Sequence, residues 1–138
     1  MEQEDKELLL RDLCARLPYG VKVKTNNINI LKLGTHTRVG EYVTDVTEPC
    51  KPYLFPLSSM TEGQTEEIHN LIYQGVSESI EETKEWLKTR KENELRPITL
   101  TYILSYTLVI DWFCKNHFDY RGLIPMGLAI DATNLNVY

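Results

Sequence analysis

Leu17-Pro-Tyr-Gly-Val-Lys-Val-Lys-Thr-Asn-Asn-Ile-Asn-Ile-Leu-Lys-Leu33 is the stretch in which the chain changes its period. Before it, apolar residues recur at every fourth position; after Gly20 they alternate with polar ones. Val21 and Val23 alternate with Lys22 and Lys24, and Ile28, Ile30 and Lys32 share one face opposite Asn29, Leu31 and Leu33. A period of two is that of a strand. Asn26-Asn27 supplies a hairpin turn, because asparagine tolerates positive φ, and Gly34 opens a second turn. A further strand is expected over 38–47, where Val39, Glu41, Val43 and Asp45 alternate with Gly40, Tyr42, Thr44 and Val46. The expectation is a meander of about three antiparallel strands within 21–47.

Toward the N-terminus, Leu9, Leu13 and Leu17 lie four apart with Leu10 and Cys14 beside them, while Glu4, Asp5, Glu7, Arg11 and Asp12 keep to the other faces. This predicts an amphipathic helix over 3–17, acidic at its start and carrying Arg16 near its end, as the helix dipole favours. Pro18 and Gly20 stop it.

Toward the C-terminus, Pro49, Pro52 and Pro56 make 48–60 an extended connection anchored by Tyr53, Leu54, Phe55 and Leu57. Thr61 with Gln64 three residues on has the form of a capping box. It opens a helical region over 61–117: a first helix with Ile68, Leu71 and Ile72, a second over 77–93 with Ile80 and Leu87 or a continuation of the first, and a last one over 99–117. That last segment is apolar on most faces, with Leu100, Ile103, Leu104, Leu108, Ile110, Trp112 and Phe113, and reads as a buried core helix. Its β-branched content makes a strand pair the rival, but about five turns without Gly or Pro favour the helix. The tail over 118–138 contains Gly122, Pro125 and Gly127 and is expected to be irregular, with a short strand near 128–130. The fold class is therefore α+β in a single domain, 1–138.

Composition narrows the class of function. The chain has 138 residues, 42% hydrophobic and 25% charged, as in ordinary globular domains. A net charge of -5 argues against non-specific nucleic-acid binding, which depends on cations that displace phosphate counterions. One local exception is Lys22, Lys24, Lys32 and Arg38, with no acidic residue among them until Glu41; an alternating solvent face is the commoner reason for such a run. Cys14, Cys50 and Cys114 fit neither a disulfide framework nor a paired metal knuckle, which points to a reducing compartment. No basic start leads into an apolar core and cleavage site, so no secretory signal is expected. The apolar run 98–114 carries Thr99, Ser105 and Asp111 and is shorter than a membrane span, so no membrane association is expected.

Three strings carry a family resemblance: Asp5-Lys-Glu-Leu-Leu-Leu-Arg-Asp-Leu-Cys-Ala-Arg-Leu-Pro-Tyr-Gly-Val21, Lys51-Pro-Tyr-Leu-Phe-Pro-Leu-Ser-Ser-Met-Thr61, and His117-Phe-Asp-Tyr-Arg-Gly-Leu-Ile-Pro-Met-Gly-Leu-Ala-Ile-Asp-Ala-Thr133. They cover about a third of the chain. They resemble a family of small uncharacterised proteins carried by phages and mobile elements of gut Bacteroidales. The resemblance implies an accessory gene product of a mobile element, working in the cytoplasm of a bacterial host. It implies no catalytic residue.

The densest mixed polar group is His117, Asp119, Tyr120 and Arg121, where the core helix should end. An imidazole, a carboxylate, a phenol and a guanidinium together suit a small anionic, nucleotide-like ligand, with Arg121 giving the bidentate contact. The same residues also suit helix termination, with His117 at the negative end of the dipole and Asp119 paired to Arg121. His36 and Arg38 sit in a turn that could reach a ligand. Cys114 and His117, three apart on one helix, are the one Cys–His pair that could make a nucleophile; a buried structural cysteine is the commoner case. His69 has no second histidine one turn away, so no metal site is expected, nor any cofactor. Trp112 reads as core, whereas Trp86, among Glu82, Lys84, Glu85 and Lys88, reads as an exposed partner surface. The chain contains no P-loop, G-x-S-x-G elbow, G-x-G-x-x-G turn or H-E-x-x-H.

Three functional readings follow. The leading one is a non-enzymatic binding protein that sequesters a nucleotide-like signalling ligand against host defence, or inhibits a host protein. The second is an enzyme that processes nucleotides or phosphodiesters, with His117 or His36 beside a carboxylate. The third is a small interaction module, a homo-oligomer if the Trp86 helix pairs with itself.

Overall fold

The computed structural model describes residues 2–26, 28–34, 50–73, 84 and 100–138, with 72, 73 and 100–106 as backbone only. Helix α1 (Gln3–Arg16) opens it and passes into a 3-10 turn (Leu17–Tyr19) begun by Pro18. Gly20, at φ 67, then reverses the chain, and its missing Cβ makes room for Lys32, whose Cε would lie 2.6 Å from one. Strands β1 (Lys22–Lys24) and β2 (Leu31–Lys32) form the expected antiparallel hairpin, Lys22 opposite Lys32 and Val23 opposite Leu31. The expected strand over 38–47 lies outside the described residues.

The segment expected to be an extended connection instead supplies β3 (Lys51–Leu54), antiparallel to β1 with Val23 opposite Pro52 and Lys24 opposite Lys51. A strand tolerates proline where its missing donor is not needed, and Pro52 precedes the point at which the second neighbour joins. That neighbour is β4 (Ile130–Asp131), parallel to β3 from Tyr53 onward, so the sheet is four-stranded and mixed, in the order β2-β1-β3-β4.

Helix α2 (Glu62–Tyr73) begins in the capping box expected of Thr61 and Gln64: the Thr61 N–H donates to Gln64 Oε1 at 2.9 Å and the Gln64 N–H to Thr61 Oγ1 at 3.2 Å. Helix α3 (Leu100–Lys115) settles the helix-or-strands question for the last apolar segment. Its described half is one-sided: Val109, Phe113 and Cys114 are buried, while Leu108 is exposed. No described helix is long and apolar enough to cross a membrane.

Two main clusters hold the elements together. Leu9 and Leu13 of α1 pack with Val21, Val23, Leu54, Leu123 and Leu128. Ile68 of α2 packs with Val109, Phe113, Cys114, Phe118 and Tyr120. Each fully buried aliphatic or aromatic side chain contributes about 1.5–3 kcal/mol. Cys14, expected beside the apolar stripe, is exposed. Asp12, expected on a face away from the apolar stripe, and Arg16, expected near the helix end, are both fully buried.

Candidate functional site

The polar group expected at the end of the core helix forms where α3 stops. His117 takes φ 63, the left-handed conformation that usually falls to glycine at this position. The N–H of Phe118 reaches back to the Phe113 carbonyl at 2.9 Å and that of His117 to Cys114 at 3.3 Å, so the last turn is closed. The chain then runs beside Phe55, whose N–H donates to the His117 carbonyl and whose carbonyl accepts the Asp119 N–H, both at 2.8 Å.

Asp119 is buried, and its carboxylate is occupied by backbone. Oδ1 accepts the Leu123 N–H at 2.8 Å and Oδ2 the Ile124 N–H at 2.9 Å, which caps the turn of the tail. The expected Asp119–Arg121 pairing is replaced by one with Asp12: Arg121 Nε lies 3.3 Å from Asp12 Oδ1, and Arg16 Nε donates to Asp12 Oδ2 at 2.7 Å. One buried carboxylate thus bridges two guanidinium groups. Arg16 Nη2 also donates to the Phe118 carbonyl at 2.7 Å, tying α1 to the end of α3.

Tyr120 lies among these cations, 5.4 Å from Arg16 Cζ and 4.9 Å from Arg121 Cζ, with Phe113 stacked on its ring at 5.6 Å. Burial first, and the Cys114 thiol next, push its phenol well above the usual range. Burial likewise pushes the Cys114 thiol up. For Arg16, burial alone would weaken the charge, but the field of Asp12 and its hydrogen bond hold the guanidinium above its ordinary value. Arg16 Nη1 and His117 Nδ1 are buried with no hydrogen-bond partner among the described residues.

His117 turns toward the last residue of the chain. Its ring stacks on that of Tyr138 with centroids 3.6 Å apart and planes 9° from parallel. The Tyr138 hydroxyl accepts the Lys22 N–H at 2.9 Å and donates to the Tyr53 carbonyl at 2.8 Å. Lys22 Nζ donates to the Val137 carbonyl and lies 5.4 Å from the Tyr138 ring centroid. Burial, then the charges of Arg16 and Lys22, lower the imidazole to about 4, so it is neutral at pH 7.

His117, Asp119, Tyr120 and Arg121 are thus brought together, whereas His36, Arg38 and Trp86 lie outside the described residues. Asp12 and Arg16 were missed as members of the group, yet the signal was present: with Leu9 and Leu13 they fall at positions 9, 12, 13 and 16, one face of a helix. Trp112 is half-buried, stacked on Phe118 at 5.5 Å, with Nε1 donating to Glu67 Oε2 of α2 at 2.8 Å. Among the described residues no three His, Cys, Asp or Glu side chains are grouped to hold a metal ion. Compared with protein-family models, with curated proteins and with solved structures, the chain matches none.

Proposed function

We propose that this chain is a non-catalytic binding protein, an accessory product of a phage or mobile element that acts in the cytoplasm of its bacterial host by engaging a host protein. The observation that carries this reading is the use the fold makes of its reactive groups. The Asp119 carboxylate is taken by two backbone donors and the Asp12 carboxylate by two guanidinium groups, while burial pushes the Cys114 thiol up. The His117 imidazole is neutral and stacked. A general base needs a lone pair aimed at substrate, and a nucleophile needs a depressed pKa; burial pushes these groups the other way. What the chain offers a partner is then its surface.

The test is affinity capture of the tagged chain from host cells, followed by reconstitution from purified components. A partner that re-forms a complex with submicromolar affinity supports the reading. Turnover of a nucleotide or phosphodiester by the purified chain, abolished in His117→Ala, would replace it with the enzymatic one.

Capture of a small nucleotide-like anion is the second reading, favoured by the buried Arg16 Nη1, a donor without an acceptor among the described residues. Mass spectrometry of small molecules released by heat checks it. A stoichiometric anion held by the wild type and lost in Arg121→Ala would support it, and clean protein in both would remove it.

A further inference from the structure

We infer that the lysine-bearing face of the sheet is the docking surface, and that its occupant is an acidic segment of a partner protein. Strand register builds this face. Lys22 lies opposite Lys32 and Lys24 opposite Lys51, and Lys22 and Lys24, two apart on β1, point to the same side. Four ammonium groups from three strands therefore share one face, while Val23 enters the core on the other. Lys24, Lys32 and Lys51 are exposed, and none of the four is ion-paired with a carboxylate among the described residues. Like charges directly opposite each other weaken a sheet, so the arrangement is adverse to the fold unless an anion covers it. Among the described residues only Lys22 of the four is held by the protein itself, through the Val137 carbonyl and the Tyr138 ring.

Two observations choose the occupant. The chain carries a net charge of -5, so a long polyanion is repelled wherever it leaves the lysines, whereas an acidic protein segment is a local anion. The connection from β1 to β2 also exposes Ile28 and Ile30 beside the lysines, at 44% and 52%. A sugar-phosphate backbone has no use for such groups, while protein interfaces combine apolar contact with a charged rim. Single-stranded nucleic acid would further want aromatic platforms. Here the Tyr53 ring is buried, and Tyr138, 41% exposed, already has its ring stacked on His117 with Lys22 Nζ 5.4 Å from its centroid.

This inference names the partner surface of the binding protein proposed above and rests on that reading. It is tested by fluorescence anisotropy with a labelled peptide of Glu-Glu-Leu repeats and a labelled oligothymidylate of equal charge. One variant is Lys24→Glu, Lys32→Glu and Lys51→Glu combined; a control with the same change of net charge away from the face is Lys6→Glu, Arg11→Glu and Lys115→Glu combined. The expected result is peptide binding that is weakened about tenfold or more in the first variant and retained in the control. Lys24→Gln and Lys51→Gln, which reverse no charge, should each weaken it by a smaller factor, and their melting curves establish that the fold survives. No peptide binding, binding indifferent to the face variants, or tighter binding of the oligothymidylate would overturn the inference. Substrate turnover with the peptide result intact would end the non-catalytic reading alone, so the two failures are distinguishable.

Discussion

Arg16 donates a hydrogen bond of 2.7 Å to the backbone carbonyl of Phe118, 102 residues away, from a position with no exposure to solvent. The same guanidinium holds Asp12, which in turn holds Arg121. The first helix and the turn after the last one are therefore joined through charged groups in the interior.

Removing one member of that chain leaves the others buried and under-paired. Arg16→Met should lower stability by about 3–5 kcal/mol in equilibrium urea unfolding. In a cycle with Asp12→Asn the two changes should be non-additive by about 1–3 kcal/mol, as for groups in one network. Additive losses would mean that the pair is not coupled.

His117 stands where glycine is the usual residue, and a non-glycine residue in the left-handed region costs roughly 1–2 kcal/mol. His117→Gly and His117→Ala both lose the stacking on Tyr138, so their difference isolates the backbone. Glycine should be the more stable by about 1 kcal/mol, the reverse of the order inside a helix. Chemical denaturation midpoints of the two variants decide it.

The imidazole also sets a pH dependence. Its folded value of about 4 lies below the unfolded 6.5, so the unfolded chain binds the proton first as pH falls. The His117 contribution is intact above pH 6.5 and is lost progressively as pH drops toward 4. His117→Asn, which tolerates the same backbone and does not titrate, should show a flatter loss of stability over that window. Imidazole NMR signals should stay those of the neutral ring from pH 7 down to 5; a midpoint near 6.5 would contradict the burial described.

The three thiols should separate by reactivity. Cys14 is exposed and should be the first to react with a thiol reagent. Cys50, pushed up to about 11 by burial, and Cys114, raised by burial, should react only as fast as the fold opens. Mass spectrometry of a labelling time course distinguishes one fast site from three.

The features legible in the sequence are local ones. The helix after Gln3, the alternation through Val21 and Val23, and the reciprocal Thr61–Gln64 cap each depend on residues within a few positions of one another. What escaped depends on distance or on charge. Three prolines hid the strand through Pro52, whose pairing with Val23 is set by tertiary contacts. The short strand expected near 128–130 forms at Ile130–Asp131, but its parallel pairing with Tyr53 and Leu54 has no local signal. Asp12 reads as a residue of the polar faces and Arg16 as a charge at the helix end, although their spacing with Leu9 and Leu13 places them on the apolar face. The group at His117 was legible as a string, but the roles of its members follow from Asp12 and Tyr138, far away in sequence.

The hydrogen bonds from Lys22 to Tyr138 and Val137 bear on how the chain reaches its folded state. They close a span of 116 and 115 residues around β1. Loops of that size form slowly, and little rewards them until both ends have met. During synthesis from the N-terminus, α1 and the β1–β2 hairpin are made long before β4, the residues around Phe118 or the C-terminal tyrosine exist. Arg16 and Asp12 have no burial to enter until then, and the first half should remain unsettled until the segment from Phe118 to Tyr138 has been made.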